Sequence, residues 1–201
     1  RLAWAELQAC SNFTFLTGGS HPEEYMDRAA FLGLSAVAIA DVNSVAGIVR
    51  AHTRAREIAR QVAERQEFDR TIGLIGPPAP PGFRRSASAH IYNTPRLLPA
   101  AKIVLRDGLS APLLPKTRVG WGQLCRLISR GRLRADKGGC DLEFDDLLEF
   151  GSDQLILLHA PPALEVQPGA SSWVSHLRRL TRRFAEGVML LLYPCYDGKD
   201  E

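Results

Sequence analysis

The sequence predicts an α/β fold in which strands and helices alternate along the chain. Short apolar runs of strand length, such as residues 35–40 and 154–159, are separated by segments whose apolar residues recur at helical spacing. Two strand-helix units follow each other at the start of the chain, which favours a parallel sheet. This pattern suits a (β/α) barrel and a doubly wound sheet equally well, and periodicity does not choose between them.

The first elements are a strand and a helix. The apolar residues of segment 2–9 predict a short buried strand. A helix is expected over 22–32, because Pro22 suits the first turn, where its missing N–H would have no intrahelical partner. Gly33 is expected to end this helix.

A second strand and a second helix follow. The apolar run 35–40 predicts the strand, and apolar residues at helical spacing between Val45 and Val62 predict the helix. Asp41 stands between the two elements and can supply a capping oxygen to the helix.

Segment 73–99 interrupts the pattern. Six prolines follow Ile75, together with a run of small polar residues at 86–90, and this composition predicts an exposed loop or insertion. Beyond it, a hairpin is expected around the turn signal of Asp107 and Gly108.

Further helices and strands are predicted in the remainder of the chain. Thr117 can cap a helix, and residues 144–150 predict a short acidic helix before the buried strand 154–159. A final helix, capped by Ser171 or Ser172, is expected to precede a last strand that begins at Val188.

Composition limits the classes of function. The formal net charge of +3 permits contact with nucleic acid but falls short of a dedicated phosphate-binding surface. The four cysteines lie far apart without a C-x-x-C pair, so their spacing predicts neither a zinc knuckle nor a redox motif. No apolar stretch approaches the roughly 20 residues of a membrane span, and no signal peptide opens the chain. We therefore expect a cytoplasmic protein without membrane contact, and a fragment at both ends.

Several separated blocks of sequence together form a pattern that is harder to obtain by chance than one short motif. They are AELQACSNFTFLTGGSHPEE at 5–24, AA at 29–30, LGLSAVAI at 32–39, DVNSVAG at 41–47, WGQLCRL at 121–127, RADKG at 134–138 and YDG at 196–198. In this order the blocks resemble the N-terminal PHP (polymerase and histidinol phosphatase) domain of bacterial error-prone DNA polymerases, which are similar to the alpha subunit of DNA polymerase III.

The resemblance implies a distorted (β/α)7 barrel of the PHP type, similar to a TIM barrel and incomplete at its C-terminus. It implies one PHP domain over 1–201 with an insertion at 73–99, and no polymerase palm, fingers or thumb in this chain. For the full-length polymerase it implies Mg²⁺-dependent nucleotide transfer, contact with DNA, and accessory proteins of damage-induced translesion synthesis in DNA replication and repair. The chain itself is expected to hold no cofactor.

The resemblance also implies a degenerate metal pocket. Active PHP domains bind metal ions through His, Asp and Glu ligands that can activate a water molecule. The corresponding positions here, with His21 at the same barrel mouth, are Glu6, Gln8, Cys10, Asp41, Val42 and Lys102. Glutamine is a poor ligand, valine is none, and an ammonium repels a cation. We therefore expect no catalytic residue and no bound metal, and we favour a helix cap over a metal ligand for Asp41.

Other interpretations stay open. The chain could be a metal-dependent phosphoesterase or a 3′–5′ exonuclease that uses Glu6, Cys10, His21 and Asp41 with Zn²⁺ or Mn²⁺. It could also be a remnant whose incomplete barrel leaves strand edges unpaired. His159 ends a predicted strand and could face the mouth of the barrel.

A basic group could contact DNA phosphates or a partner protein. Its members are Arg126, Arg130, Arg132, Arg134 and Lys137. We favour a solvated helix face, because no aromatic side chains that could stack on bases are interleaved with the arginines.

Overall fold

The computed structural model of the protein describes residues 3–74, 93–159 and 170–192. The chain forms two compact units, which divide after Ala100. Both units contain strands and helices, which alternate strictly in the first unit, so the predicted α/β class is confirmed. In the described part of the chain the strands form one sheet of three and one sheet of four. Closure into a PHP-type barrel stays a prediction.

The sheet of the first unit is parallel, with the strand order β1-β2-β3. Strand β1 covers Ala5–Ala9, β2 covers Ala36–Ile39 and β3 covers Arg96–Pro99. All residues of the central strand β2 are buried, as its apolar composition predicts. The prediction of a buried first strand from residue 2 is wrong. Because β1 is an outer strand of the described sheet, only Ala9 is buried, and the strand begins at Ala5.

Two helices connect these strands. Helix α1 covers Pro22–Leu32, as predicted, and ends at Gly33, whose φ of 72° lies in the left-handed region that glycine adopts without strain. Helix α2 covers Ile48–Thr71 and has Gly47 at its N-cap position. The prediction that Asp41 caps this helix is therefore wrong, because the helix begins seven residues later.

Strand β3 corrects the prediction of a continuous loop over 73–99. Residues 75–92 lie outside the described residues, but Arg96–Pro99 pairs with β2 along the whole length of that strand. Proline is tolerated at the ends of an outer strand, where its missing N–H interrupts no ladder bond. Pro95 precedes the strand and Pro99 is its last residue, so a composition rich in proline conceals the strand in the sequence.

The second unit contains a mixed sheet with the order β4-β5-β6-β7. Strands β4 (Ala101–Val104) and β5 (Ser110–Pro115) form the predicted hairpin, in which Gly108 has a φ of 88°. Strand β6 (Gln154–His159) is antiparallel to β5 and parallel to β7 (Val188–Leu191).

Three helices accompany this sheet. Helix α3 (Arg118–Arg134) is capped by the hydroxyl of Thr117, as predicted, and α4 (Phe144–Phe150) matches the predicted acidic helix. Helix α5 (Ala170–Arg183) begins before both serines that were predicted to cap it, so that prediction is wrong. None of the helices in the described ranges is long and apolar enough to cross a membrane.

Candidate functional site

The carboxylate of Asp41 is the centre of a buried hydrogen-bond network at the carboxyl end of β2. The residue is 1% exposed. Its Oδ1 accepts bonds from the backbone N–H of Ser11 at 2.8 Å and from Oγ1 of Thr14 at 2.9 Å. Its Oδ2 accepts a bond from Oγ of Ser11 at 2.8 Å. Because both donor residues belong to the loop between β1 and α1, Asp41 ties this loop to the end of β2.

The two hydroxyl residues of this network are buried themselves. Ser11 is 0% and Thr14 is 7% exposed, so neither hydroxyl can rely on bulk water. Oγ1 of Thr14 accepts a bond from the backbone N–H of Val42 at 2.9 Å while it donates to Asp41. The network therefore satisfies buried donors and acceptors on both sides of the loop.

Two glycines allow the backbone to approach this network closely. A Cβ atom on Gly47 would lie 2.7 Å from Oδ2 of Asp41 and 3.1 Å from Oγ of Ser11. A Cβ atom on Gly18 would lie 2.0 Å from the carbonyl oxygen of Ser11. Any larger residue at either position would push the loop away from Asp41.

His21 and Cys10 lie at the two ends of the same loop. The backbone N–H of His21 donates to Oε2 of Glu24 at 2.7 Å, and its Nδ1 lies 2.9 Å from Nδ2 of Asn12, which can donate to it. The carbonyl of Cys10 accepts a bond from the hydroxyl of Tyr25 at 2.8 Å. Burial raises the pKa of Tyr25, so this hydroxyl stays a donor at neutral pH.

The remaining acidic residue of the predicted pocket is Glu6, which is exposed on β1 and whose Oε1 accepts a bond from the backbone N–H of Gln8 at 2.8 Å. Within residues 3–74, 93–159 and 170–192, no three His, Cys, Asp or Glu side chains come together as a group able to hold a metal ion. Both oxygens of Asp41 already serve protein donors. The donor set present here does not fit a divalent metal centre.

Lys102 belongs to the second unit, whereas the other residues of the predicted pocket belong to the first. It is half-buried on β4, and the coulombic effect of its charge reaches His159 at the end of β6. Nδ1 of His159 lies 2.9 Å from Oγ of Ser110. Whether Lys102 shares a pocket with Asp41 stays a prediction, since the two residues belong to different units.

The predicted basic group lies mainly on α3, and two of its arginines serve one buried carboxylate. Nη1 and Nη2 of Arg134 lie 2.7 and 3.0 Å from the carboxylate oxygens of Asp146. Arg130 lies 3.4 Å from the same carboxylate and also binds Glu149. Burial raises the pKa of Asp146, but the hydrogen bonds from Arg134 and from the backbone N–H of Glu143 outweigh this effect and hold the pKa below its ordinary value.

The other members of the basic group have different surroundings. Arg132 donates to the carbonyls of Gly138 and Gly139, which orders the loop after α3. Arg126 and Lys137 are exposed, and neither forms an ion pair within the described residues.

Sequence reasoning missed Ser11 and Thr14, although both stand in the block that carries the family resemblance. The sequence nevertheless contains a signal for this contact. Hydroxyl residues directly after one parallel strand lie at the same sheet edge as an acidic residue that follows the neighbouring strand. The pattern of Ser11 and Asp41 therefore predicts a contact between two strand ends.

No family model matches the chain. Relatives that are named error-prone DNA polymerase match it along its whole length. The protein of Ruegeria pomeroyi is 38% identical over 215 residues, which cover 100% of this chain and 18% of the relative. The protein of Rhodopseudomonas palustris (strain BisB5) is 36% identical over 200 residues, which cover 99% of this chain and 15% of the relative. The chain thus spans less than a fifth of the length of these relatives.

Among solved structures, the fold is similar to that of a Bifidobacterium adolescentis protein described as a metal-dependent phosphoesterase. The TM-score is 0.50 at 11% sequence identity, over 88% of this chain and 75% of the other. This likeness concerns the fold alone. The sequence matches over the whole chain show that it corresponds to a segment of the error-prone DNA polymerase family.

Proposed function

We propose that this chain is the N-terminal PHP domain of an error-prone DNA polymerase and that it supports the polymerase region or binds a partner. The observation that carries this proposal is the state of Asp41. Where the resemblance expects a metal ligand, both carboxylate oxygens are engaged by hydroxyl and N–H donors of the loop between β1 and α1. A metal ion would have to displace these donors and leave them unpaired in a buried place, which is costly.

In this proposal, residues 1–201 form one partial PHP barrel, and the chemistry belongs to the full-length polymerase. That polymerase transfers nucleotides with Mg²⁺, contacts DNA, and works in the cytoplasm with accessory proteins of translesion synthesis after DNA damage. The support for it is the match of the whole chain to polymerases of this name.

The basic group has a divided role. Arg130, Arg132 and Arg134 bind groups of the chain itself, so their first contribution is to stability. Arg126 and Lys137 are the members that we propose for contact with DNA or a partner protein.

The first test is a pair of measurements on the purified chain. Elemental analysis after incubation with Zn²⁺ or Mn²⁺ is expected to find less than one ion per chain, and a primer-extension assay with Mg²⁺ is expected to find no synthesis. Asp136→Ala serves as the control for Asp41→Ala, because Asp136 is an exposed acidic residue outside the network.

Two outcomes would contradict this proposal. Stoichiometric Zn²⁺ or Mn²⁺ that is lost in Asp41→Ala but retained in Asp136→Ala would support the phosphoesterase or 3′–5′ exonuclease interpretation with Glu6, Cys10, His21 and Asp41. Primer extension by the chain alone would contradict the assignment of chemistry to the rest of the polymerase.

A further inference from the structure

A groove with a volume of about 570 Å³ lies between α3 and Phe150 at the end of α4, and we call it the α3–α4 groove. Its lining on α3 forms two rows in which successive residues are four positions apart, so that each row follows one face of the helix. One row contains Cys125, Ser129 and Leu133, and the neighbouring row contains Arg126, Arg130 and Arg134. Because an α-helix rises about 1.5 Å per residue, each row is about 12 Å long, or about two helical turns.

The first row, together with Phe150, gives the groove an apolar side. Leu133 is 88% exposed. A single exposed leucine is ordinary on a protein surface, but this one borders a recess whose other apolar groups, Cys125 and Phe150, are partly buried. An apolar side chain that entered the recess would remove Leu133 and these groups from water together, which favours binding.

The second row gives the groove a positive side. Helix α3 contains five arginines and no acidic residue. Arg130 and Arg134 are paired with Asp146, and Arg130 is paired with Glu149 as well. Arg126 is exposed and forms no ion pair with any residue that the structure describes. Its guanidinium is therefore the group that a negative ligand would meet in the groove.

We propose that the α3–α4 groove binds a short amphipathic helix of a partner protein, with an apolar side chain against Leu133 and Phe150 and a carboxylate against Arg126. This inference rests on the proposed function, in which the chain binds a partner, and it names the chemistry of that partner. A helix that carries apolar residues on one face and acidic residues beside them repeats at the spacing of the two rows. It can therefore contact both rows at once.

Two other occupants fit the groove less well. Nucleic acid is bound by several cations together, whereas Arg130 and Arg134 already bind carboxylates of the chain. Stacking of a base is also hindered, because the guanidinium of Arg130 lies 4.4 Å from the ring centroid of Phe150 and covers one face of the ring. A second copy in a symmetric dimer would bring two positively charged grooves together, which opposes association.

The first experiment is a selection from a phage-displayed library of random peptides of about 16 residues, which is long enough for about four helical turns. The purified chain is the target, and peptides that bind the empty support are removed. We expect the enriched peptides to share acidic residues together with leucine, isoleucine or phenylalanine at spacings of three or four. The absence of enriched peptides, or enriched peptides without this pattern, would overturn the proposal.

Variants then locate the binding of an enriched peptide, which is measured by fluorescence polarisation. Leu133→Glu and Arg126→Glu are each expected to weaken binding at least about tenfold, because each places a negative charge against the acidic peptide. The control for Leu133→Glu is Val119→Glu, since Val119 is 67% exposed on the same helix but lies outside the groove. The control for Arg126→Glu is Arg178→Glu, at an exposed position of α5. Equal weakening by a variant and its control would overturn the proposal, and circular dichroism verifies that each variant is folded.

The same variants test the other occupants. A single-stranded DNA oligonucleotide that binds the chain, and whose binding is weakened by Arg126→Glu but not by Leu133→Glu, would overturn the proposal in favour of nucleic acid. A dimer of the chain in analytical ultracentrifugation that Leu133→Glu dissociates would overturn it in favour of a second copy. The metal and primer-extension measurements do not involve the groove, so a failure of this inference is distinguishable from a failure of the proposed function.

Discussion

Two buried carboxylates, Asp41 in the first unit and Asp146 in the second, are stabilised by different chemistry. Asp41 of the first unit accepts hydrogen bonds from hydroxyl groups and a backbone N–H, all of them neutral donors. Asp146 of the second unit is bound by the guanidinium groups of Arg130 and Arg134 and by one backbone N–H. Asp41 therefore depends on the precise fit of a loop, whereas Asp146 depends on charge.

This difference bears on function. The donors to Asp41 are neutral groups of the chain, and they lie at the sheet edge where the family resemblance expects metal ions. The arginines around Asp146 neutralise its carboxylate, so part of the basic surface of α3 is already paired within the chain. Asp41, Arg130 and Arg134 are thus already engaged by groups of the chain itself.

The largest expected effect is that of Asp41→Ala. The substitution leaves the N–H of Ser11 and two buried hydroxyls without their acceptor, and we expect a loss of about 3 kcal/mol in the free energy of unfolding. Urea denaturation followed by circular dichroism measures it. Asp136→Ala, at an exposed position, should change the free energy by less than about 0.5 kcal/mol. A similarly small effect of Asp41→Ala would contradict the central role of the network.

A somewhat smaller effect is expected for Asp146→Asn, about 2 kcal/mol at pH 7, because hydrogen bonds to a charged group are lost. The folded-state pKa of Asp146 is lowered, so its contribution is present above the ordinary value of 3.8 and is lost as the pH falls through the folded-state pKa. Unfolding measured at several pH values should find that Asp146→Asn and the unchanged chain converge in strong acid.

Salt concentration sharpens the same comparison. The difference between the unchanged chain and Asp146→Asn should shrink between 0.05 and about 1 M NaCl, because ions screen the guanidinium groups. The difference for Asp41→Ala should change much less, since its donors are neutral. Equal salt dependence of both variants would contradict the distinction between Asp41 and Asp146.

The close approach of Gly47 to Asp41 predicts that a larger residue at position 47 causes a comparable loss in the free energy of unfolding. A Cβ atom there would lie 2.7 Å from the carboxylate, so Gly47→Ala should cost about 2 kcal/mol. The matched control is Gly19→Ala in the loop between β1 and α1, where an added Cβ meets no atom within 4 Å. Thermal unfolding should give a clearly lower melting temperature for Gly47→Ala than for Gly19→Ala. Equal melting temperatures would mean that the loop accommodates the added Cβ atom without loss of stability.

The smallest effect is expected on the solvent-exposed face of α2. Arg60 and Glu64 form an ion pair at 3.1 Å in which both side chains are more than 60% exposed. Glu64→Gln should lower the free energy of unfolding by less than about 0.5 kcal/mol, because water and salt screen such pairs. Urea denaturation at low salt is the most sensitive measurement. A larger loss would mean that this surface ion pair contributes more to stability than screening by water and salt predicts.

Local sequence signals predicted the elements whose ends are decided by neighbouring residues. Pro22 and Gly33 frame α1, Thr117 caps α3, and Asp107 with Gly108 forms the turn of the hairpin. Each signal acts on residues within a few positions of itself along the chain. It therefore specifies its element without contacts from distant residues.

Long-range contacts decided the features that the sequence did not reveal. The donors to Asp41 stand 27 and 30 residues away, so a local helix cap was the natural but incorrect expectation. Strand β3 forms because β2 offers it a parallel partner, although Pro95 before it and Pro99 at its end argue against a strand.

The sequence by itself determined the α/β class, the bounds of α1 and α4, the start of α3 and membership in the polymerase family, because these depend on periodicity, caps and ordered blocks of residues. Only the tertiary structure decided that Asp41 binds a loop instead of capping a helix, and that Ser110 and His159 form a pair. The physical reason is that a side chain's partner depends on which strand ends the fold brings together, and spacing along the chain does not specify this.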